Sequence, residues 1–273
     1  MMYLQSRKLI SFHQLGSKFN KGRYISMSKP TVESTTGNTK VESFDYNSLD
    51  YLEPRFPGLV NKQGLNILRA ISSIVLLVIW VFVFAWTHPI TQFVYMTMWG
   101  NTTSLITSFF SLYITIKGTE NVGSKIKKWN YLLLEFVFSM EMVITVIYWT
   151  VLHDMIMAKL KAEGNEHGIP LQIGIHSVPL IAVCCNVVLS KVRFDPGSWK
   201  ITFVATTIFM FVNYGGKEFT GKPLYPFLPW DGSFRTYFNA VFLVLISTVL
   251  NYLCSRFIVN MLPLSSAKPN KRL

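Results

Sequence analysis

Residues 70–86 read AISSIVLLVIWVFVFAW, an unbroken run of 17 positions without a charge. A helix needs about 20 predominantly apolar residues to cross roughly 30 Å of hydrocarbon. This run is therefore a membrane span at the short end, with Arg69 placed to snorkel toward the interface. Five more runs of the same kind follow, at 92–116, 129–152, 169–189, 199–214 and 236–260. The run at 199–214 is also short, and Lys200 would have to help it in the same way. Trp86, Trp99, Trp129, Trp149, Trp199 and Trp230 fall near span ends or in flanking loops, as an interfacial aromatic belt requires. The expected fold is all-α: a polytopic membrane protein with a bundle of six transmembrane helices.

Composition agrees. Of 273 residues, 50% are hydrophobic and only 15% charged, against about 25% charged in soluble domains. That excludes a soluble enzyme, a disordered chain and a coiled-coil rod. Three cysteines, all inside apolar runs, are too few for a disulfide framework and have no zinc-ligand spacing. His88, His153 and His167 also lack metal-ligand spacing, so neither a metal nor a cofactor is expected. The net charge of +12 comes with no nucleic-acid-binding motif. Six crossings put both termini on one side, and 21 of the 26 Lys and Arg fall on that side. Excess Lys and Arg marks the side that is not translocated, so the termini face the cytoplasm or a mitochondrial matrix. The organisation is a basic polar tail at 1–64, a membrane domain at 65–262 and a basic tail at 263–273. Residues 1–32 carry six basic residues and no acid. They read either as a mitochondrial transit segment or as a tail drawn to anionic lipid. A flexible linker follows from Glu33 to the first span. An endomembrane and the mitochondrial inner membrane are both open as locations.

Polar groups in hydrocarbon must find partners, so they face the bundle interior. Thr97, Asn101, Ser104, Ser108, Ser111 and Thr115 recur at steps of four and three, which holds them on one helix stripe. Gln172, His176, Pro179, Val183, Asn186 and Ser190 recur at the same steps, so the second and fourth spans are expected to face each other. The serines read as small residues for close packing. Asn101 opens a formal glycosylation sequon, but it lies too deep to be modified. Thr97 and His176 sit about 8 and 10 Å below the same surface, counted at 1.5 Å per residue. A Thr hydroxyl next to a neutral imidazole is a nucleophile with its base; the alternative is two ordinary structural hydrogen bonds. Glu135 and Glu141 in the third span read as cross-links or proton sites, and Glu135 is expected to bond Asn186.

The stretch Tyr95-Met-Thr-Met-Trp-Gly100 resembles the start of the second segment in the androgen-induced-protein and rolling-stone families, which are six-span membrane proteins. His176, with polar Asn186 ten residues on, resembles their fourth-span His, which is followed at that spacing by an acid. Asn213-Tyr-Gly-Gly216 and Pro223-Leu-Tyr-Pro-Phe-Leu-Pro-Trp230 resemble their loop before the last span. Androgen-induced proteins hydrolyse fatty-acid esters of hydroxy fatty acids with an intramembrane Thr and His. The resemblance therefore implies Thr97 as nucleophile and His176 as base, acting on a fatty-acyl ester or other membrane lipid, with the fifth loop closing over the site. The alternative is a non-catalytic accessory subunit of a larger membrane complex, such as a respiratory-chain or ATP-synthase assembly.

Overall fold

Helix α1 (Lys62–Trp86) contains the 70–86 run and adds two turns before it, so the span is not short. This computed structural model describes residues 53–86 and 89–261. Readings that fall on 1–52, on His88 and on the 263–273 tail lie outside the described residues. Seven further helices follow: α2 (Pro89–Val94), α3 (Met96–Lys117), α4 (Ser124–Ile147), α5 (His153–Ala162), α6 (Gly168–Val188), α7 (Trp199–Thr220) and α8 (Phe234–Met261). No strand occurs among the described residues. Four helical segments are long and apolar enough to cross a membrane: Lys62–Ala85, Ser124–Ala162, Gly168–Val188 and Phe234–Phe257.

Local chemistry sets the element ends. Extended Tyr95 (φ −102°, ψ 130°) separates α2 from α3. Gly118 (φ +81°) ends α3 and Gly221 (φ +67°) ends α7, each bonding its N–H back to a helix carbonyl. Positive φ is where glycine alone has no Cβ cost. Between α4 and α5 the chain never leaves helix: a π segment, Tyr148–Leu152, joins them into a 39-residue rod. At 1.5 Å per residue that rod is about 58 Å long, well over the roughly 30 Å of a hydrocarbon layer, and its α5 end carries Asp154, Lys159 and Lys161.

Helix α4 is central, packing on α3, α6, α7 and α8. One apolar core gathers Met140, Val143 and Ile144 of α4 and Tyr148 of the π segment with Phe209, Met210, Leu243 and Val244; a second, at the other end, joins Leu134, Val137 and Phe138 to Val183, Val187 and Phe194. Polarity is inverted relative to a soluble protein. Ser104, Thr107, Ser111, Asn130, Glu135, Glu141, Thr202, Asn213 and Asn251 are buried, whereas Ile71, Ile74, Val78, Phe211, Phe238, Val241 and Leu253 are exposed. Apolar surface of this extent is stable only against lipid or protein, which suits an integral membrane protein.

Three expectations change. Arg69 does not snorkel: it is 3% exposed, and donates to Asn186 Oδ1 at 3.0 Å and Thr115 Oγ1 at 2.8 Å. Asn186 therefore does not bond Glu135; its amide donates to Ser111 Oγ at 2.8 Å. Glu135 Oε1 instead accepts the Asp195 N–H at 2.6 Å, because the α6–α7 loop turns back over α4. The chain before α1 is not a free linker up to the span. Arg55 N–H bonds Leu189 O, Lys191 N–H bonds Glu53 O, and the Arg55 guanidinium donates to Val192 O.

Candidate functional site

Proline at position 179 has no N–H, so the carbonyl of Ile175, four residues earlier in α6, loses its helical donor. Asn101 of α3 replaces it. Its amide donates to Ile175 O at 3.0 Å and to Thr97 O at 2.8 Å. One buried side chain thus pins the residue before His176 to the turn that carries Thr97. From α4, Thr145 Oγ1 donates to His176 O at 2.8 Å. The register of α6 against its neighbours is fixed by these polar bonds.

Within that frame Thr97 Oγ1 lies 3.2 Å from His176 Nε2. The imidazole Nδ1 is 2.8 Å from Gln172 O. A carbonyl only accepts, so Nδ1 carries the hydrogen and Nε2 offers a lone pair. The Thr97 hydroxyl is then the donor and the imidazole the acceptor, which is the arrangement of a nucleophile before its proton is removed. The Tyr148 ring stacks on the imidazole, with centroids 4.0 Å apart and an interplanar angle of 6°. It holds the ring plane and offers a π face to a cation if the imidazole gains a proton.

The pair borders a cavity of about 530 Å³, within the roughly 300–1,000 Å³ of small-molecule sites. Val83, Met98, Leu152, Met155, Ile156 and Ile175 make its apolar walls, and Lys159 and Glu163 of α5 contribute charge. Behind the pair is an apolar pocket of about 20 Å³, lined by Met96, Ile144, Phe209, Phe227 and Leu243 among others. Thr97, Leu152, His176 and Tyr225 border both spaces.

Tyr225 comes from the α7–α8 loop. Its hydroxyl accepts the N–H of Met96 at 2.9 Å, at the start of α3. Gly216 lets the loop settle there: a Cβ would stand 2.7 Å from Val94 and 2.8 Å from Leu224. Asn213 donates to Val94 O at 3.2 Å and accepts from Trp230 Nε1 at 2.8 Å. Trp230 is held at φ +53°, a conformation that a bulky residue adopts only when its surroundings impose it. Burial among apolar groups pushes the Tyr225 phenol up, so it keeps its proton.

The polar stripe of α3 serves two neighbours rather than one. Thr97, Asn101 and Ser111 meet α6, whereas Ser104 donates to Glu141 Oε1 of α4 at 3.2 Å. Glu141 also explains Gly100, since a Cβ there would collide with the carboxylate. Among the described residues no cluster of three His, Cys, Asp or Glu could hold a metal ion. Reading the sequence missed Asn101 and Thr145 as positioning residues. The signal for Asn101 was a proline inside an apolar helix, which requires a donor from elsewhere. Compared with protein-family models, curated proteins and solved structures, the chain matches none.

Proposed function

We propose that the protein is an intramembrane lipid esterase, with Thr97 as nucleophile and His176 as general base. The observation that carries this reading is the 3.2 Å Thr97–His176 contact at the edge of a largely apolar cavity, with the imidazole tautomer set by Gln172. The resemblance to androgen-induced proteins implies the same pair. The bundle has six crossings, with α3 and α7 as the two spans beyond the four strongly apolar segments. Both termini lie on the side rich in Lys and Arg, in an endomembrane or the mitochondrial inner membrane.

The substrate is a fatty-acyl ester, whose chains match the apolar walls and whose carbonyl meets Thr97. His176 Nε2 takes the hydroxyl proton as Oγ1 bonds the carbonyl carbon. Collapse of the tetrahedral intermediate breaks the ester C–O bond, and His176 returns the proton to the departing alcohol. Water, deprotonated by the same nitrogen, then attacks the acyl-threonine, releases the fatty acid and restores the Thr97 hydroxyl. Nε2 can play both parts because its ring is held by Nδ1 throughout.

Purified full-length protein in detergent, given para-nitrophenyl decanoate, tests this. Thr97→Ala abolishes turnover and His176→Ala lowers it by about 10²–10⁴. Turnover unchanged in both variants removes the mechanism.

A further inference from the structure

An ester attacked by Thr97 places negative charge on its carbonyl oxygen, and that charge needs a donor fixed before the reaction begins. In α3 and α4 the nearby side chains are committed: the Asn101 amide bridges two carbonyls, and Thr145 bonds His176 O. Tyr225 differs. Its oxygen accepts the Met96 N–H, which leaves its one hydrogen to point elsewhere. It borders both spaces beside Thr97 and His176, and its hydroxyl is anchored on the N–H of Met96, the residue next to Thr97. The phenol is also rigid. Its ring meets Tyr95 edge-on at 5.7 Å, stacks on Phe227 at 5.2 Å, and its backbone pairs with Leu228.

We infer that Tyr225 is the oxyanion donor of this site: a further catalytic residue whose hydroxyl hydrogen-bonds the substrate carbonyl oxygen as Thr97 attacks. Before reaction the Thr97 proton points to His176 Nε2, and the phenolic hydrogen awaits the incoming carbonyl oxygen. As Oγ1 bonds the carbonyl carbon, the C=O electron pair moves to the carbonyl oxygen, and Tyr225 donates its hydrogen bond there. The phenol donates without losing its proton, so no proton is gained or lost at Tyr225. The Met96 N–H, at the positive end of α3, polarises the phenolic oxygen and makes its hydrogen a stronger donor. The α7–α8 loop is then part of the reaction rather than a cover over it.

The assignment rests on the Thr97 and His176 reading, and its test keeps the two apart. Wild type, Thr97→Ala and Tyr225→Phe are compared as full-length protein in detergent with para-nitrophenyl decanoate. A para-nitrophenyl alkylphosphonate, whose tetrahedral adduct carries the same oxygen, is used to label Thr97. Tyr225→Phe is expected to lower kcat about 100-fold, leave KM within about twofold, and slow labelling in parallel. A purely structural role for the hydroxyl would lower the folded fraction and leave kcat per folded molecule alone. If Tyr225→Phe keeps kcat within about threefold of wild type while Thr97→Ala is dead, the donor is overturned and the Thr/His pair stands. If Thr97→Ala retains full activity, both fall. Should Tyr225→Phe not fold, a ring-fluorinated tyrosine at position 225 keeps the Met96 contact and strengthens the donor. It raises kcat roughly twofold if Tyr225 donates to the oxyanion, and an unchanged kcat overturns the proposal.

Discussion

Asn101 and Pro179 act as one device, although neither carries chemistry. The proline removes the donor that Ile175 O would have had, and the asparagine supplies it from α3. Replacing Asn101 by Ala leaves a buried carbonyl without a partner, at a cost of about 1–3 kcal/mol. It also frees Thr97 to drift from His176, and a shift of about 1 Å in a reacting group can cost 10²-fold in rate. Asn101→Ala should therefore lower both the thermal midpoint in detergent and kcat. Adding Pro179→Ala restores a helical N–H for Ile175 O, so the double variant should recover stability. A double variant no more stable than Asn101→Ala would break the link. Arg69 shows the same economy at the other end of the bundle, where one guanidinium joins α1 to α3 and α6. Its inward turn has a simple reason: Asn186 and Thr115 offer acceptors at 3.0 and 2.8 Å.

Among the elements, the α7–α8 connection is the one on which the site depends most, and its C-terminal anchor is a hydrogen-bonded carboxylate. Asp231 Oδ1 accepts the Ser233 N–H and the Thr236 hydroxyl, both at 3.0 Å, at the start of α8. Those bonds hold its carboxyl well below the usual range, at about 2. A folded value below the unfolded one means that the stabilisation is complete at neutral pH and fades as pH falls from about 4 to about 2. Asp231→Asn should therefore lower the thermal midpoint at neutral pH, and the gap to wild type should close below about pH 2. A gap independent of pH would mean that the charge is not what anchors the loop. The α4–α5 junction contributes differently. Its π turn keeps the rod continuous while Tyr148 lies flat on His176 and Trp149 bonds Ser177 at 3.1 Å. Such a turn leaves no composition signal, so the span at 129–152 is legible in the sequence but its continuation into α5 is not.

For the whole molecule, the prediction concerns sidedness. In a cysteine-free background, Glu120→Cys lies between α3 and α4 and Asn165→Cys between α5 and α6, both exposed. With six crossings, a membrane-impermeant maleimide should reach position 120 from the side bearing the C-terminus and position 165 from the opposite side. Labelling of both from one side would end the six-span arrangement. The six long helices among the described residues arise at the apolar runs read from the sequence, and four of the segments are long and apolar enough to cross a membrane. Thr97 and His176 could be singled out because each interrupts an apolar run on a stripe with a helical period. Their partners were another matter. Stripe spacing turns Asn186 inward but not toward a particular helix, and Arg69, read from the sequence as snorkelling, reaches it because α1 packs on α3 and α6 while the α6–α7 loop turns back to Glu135. Tyr225 sits in a loop, where no periodicity constrains a side chain. Local sequence determined which groups had to be buried, through the cost of polar atoms in lipid; only the packing of eight helices determined which of them touch, because that depends on rotations and depths summed over the whole bundle.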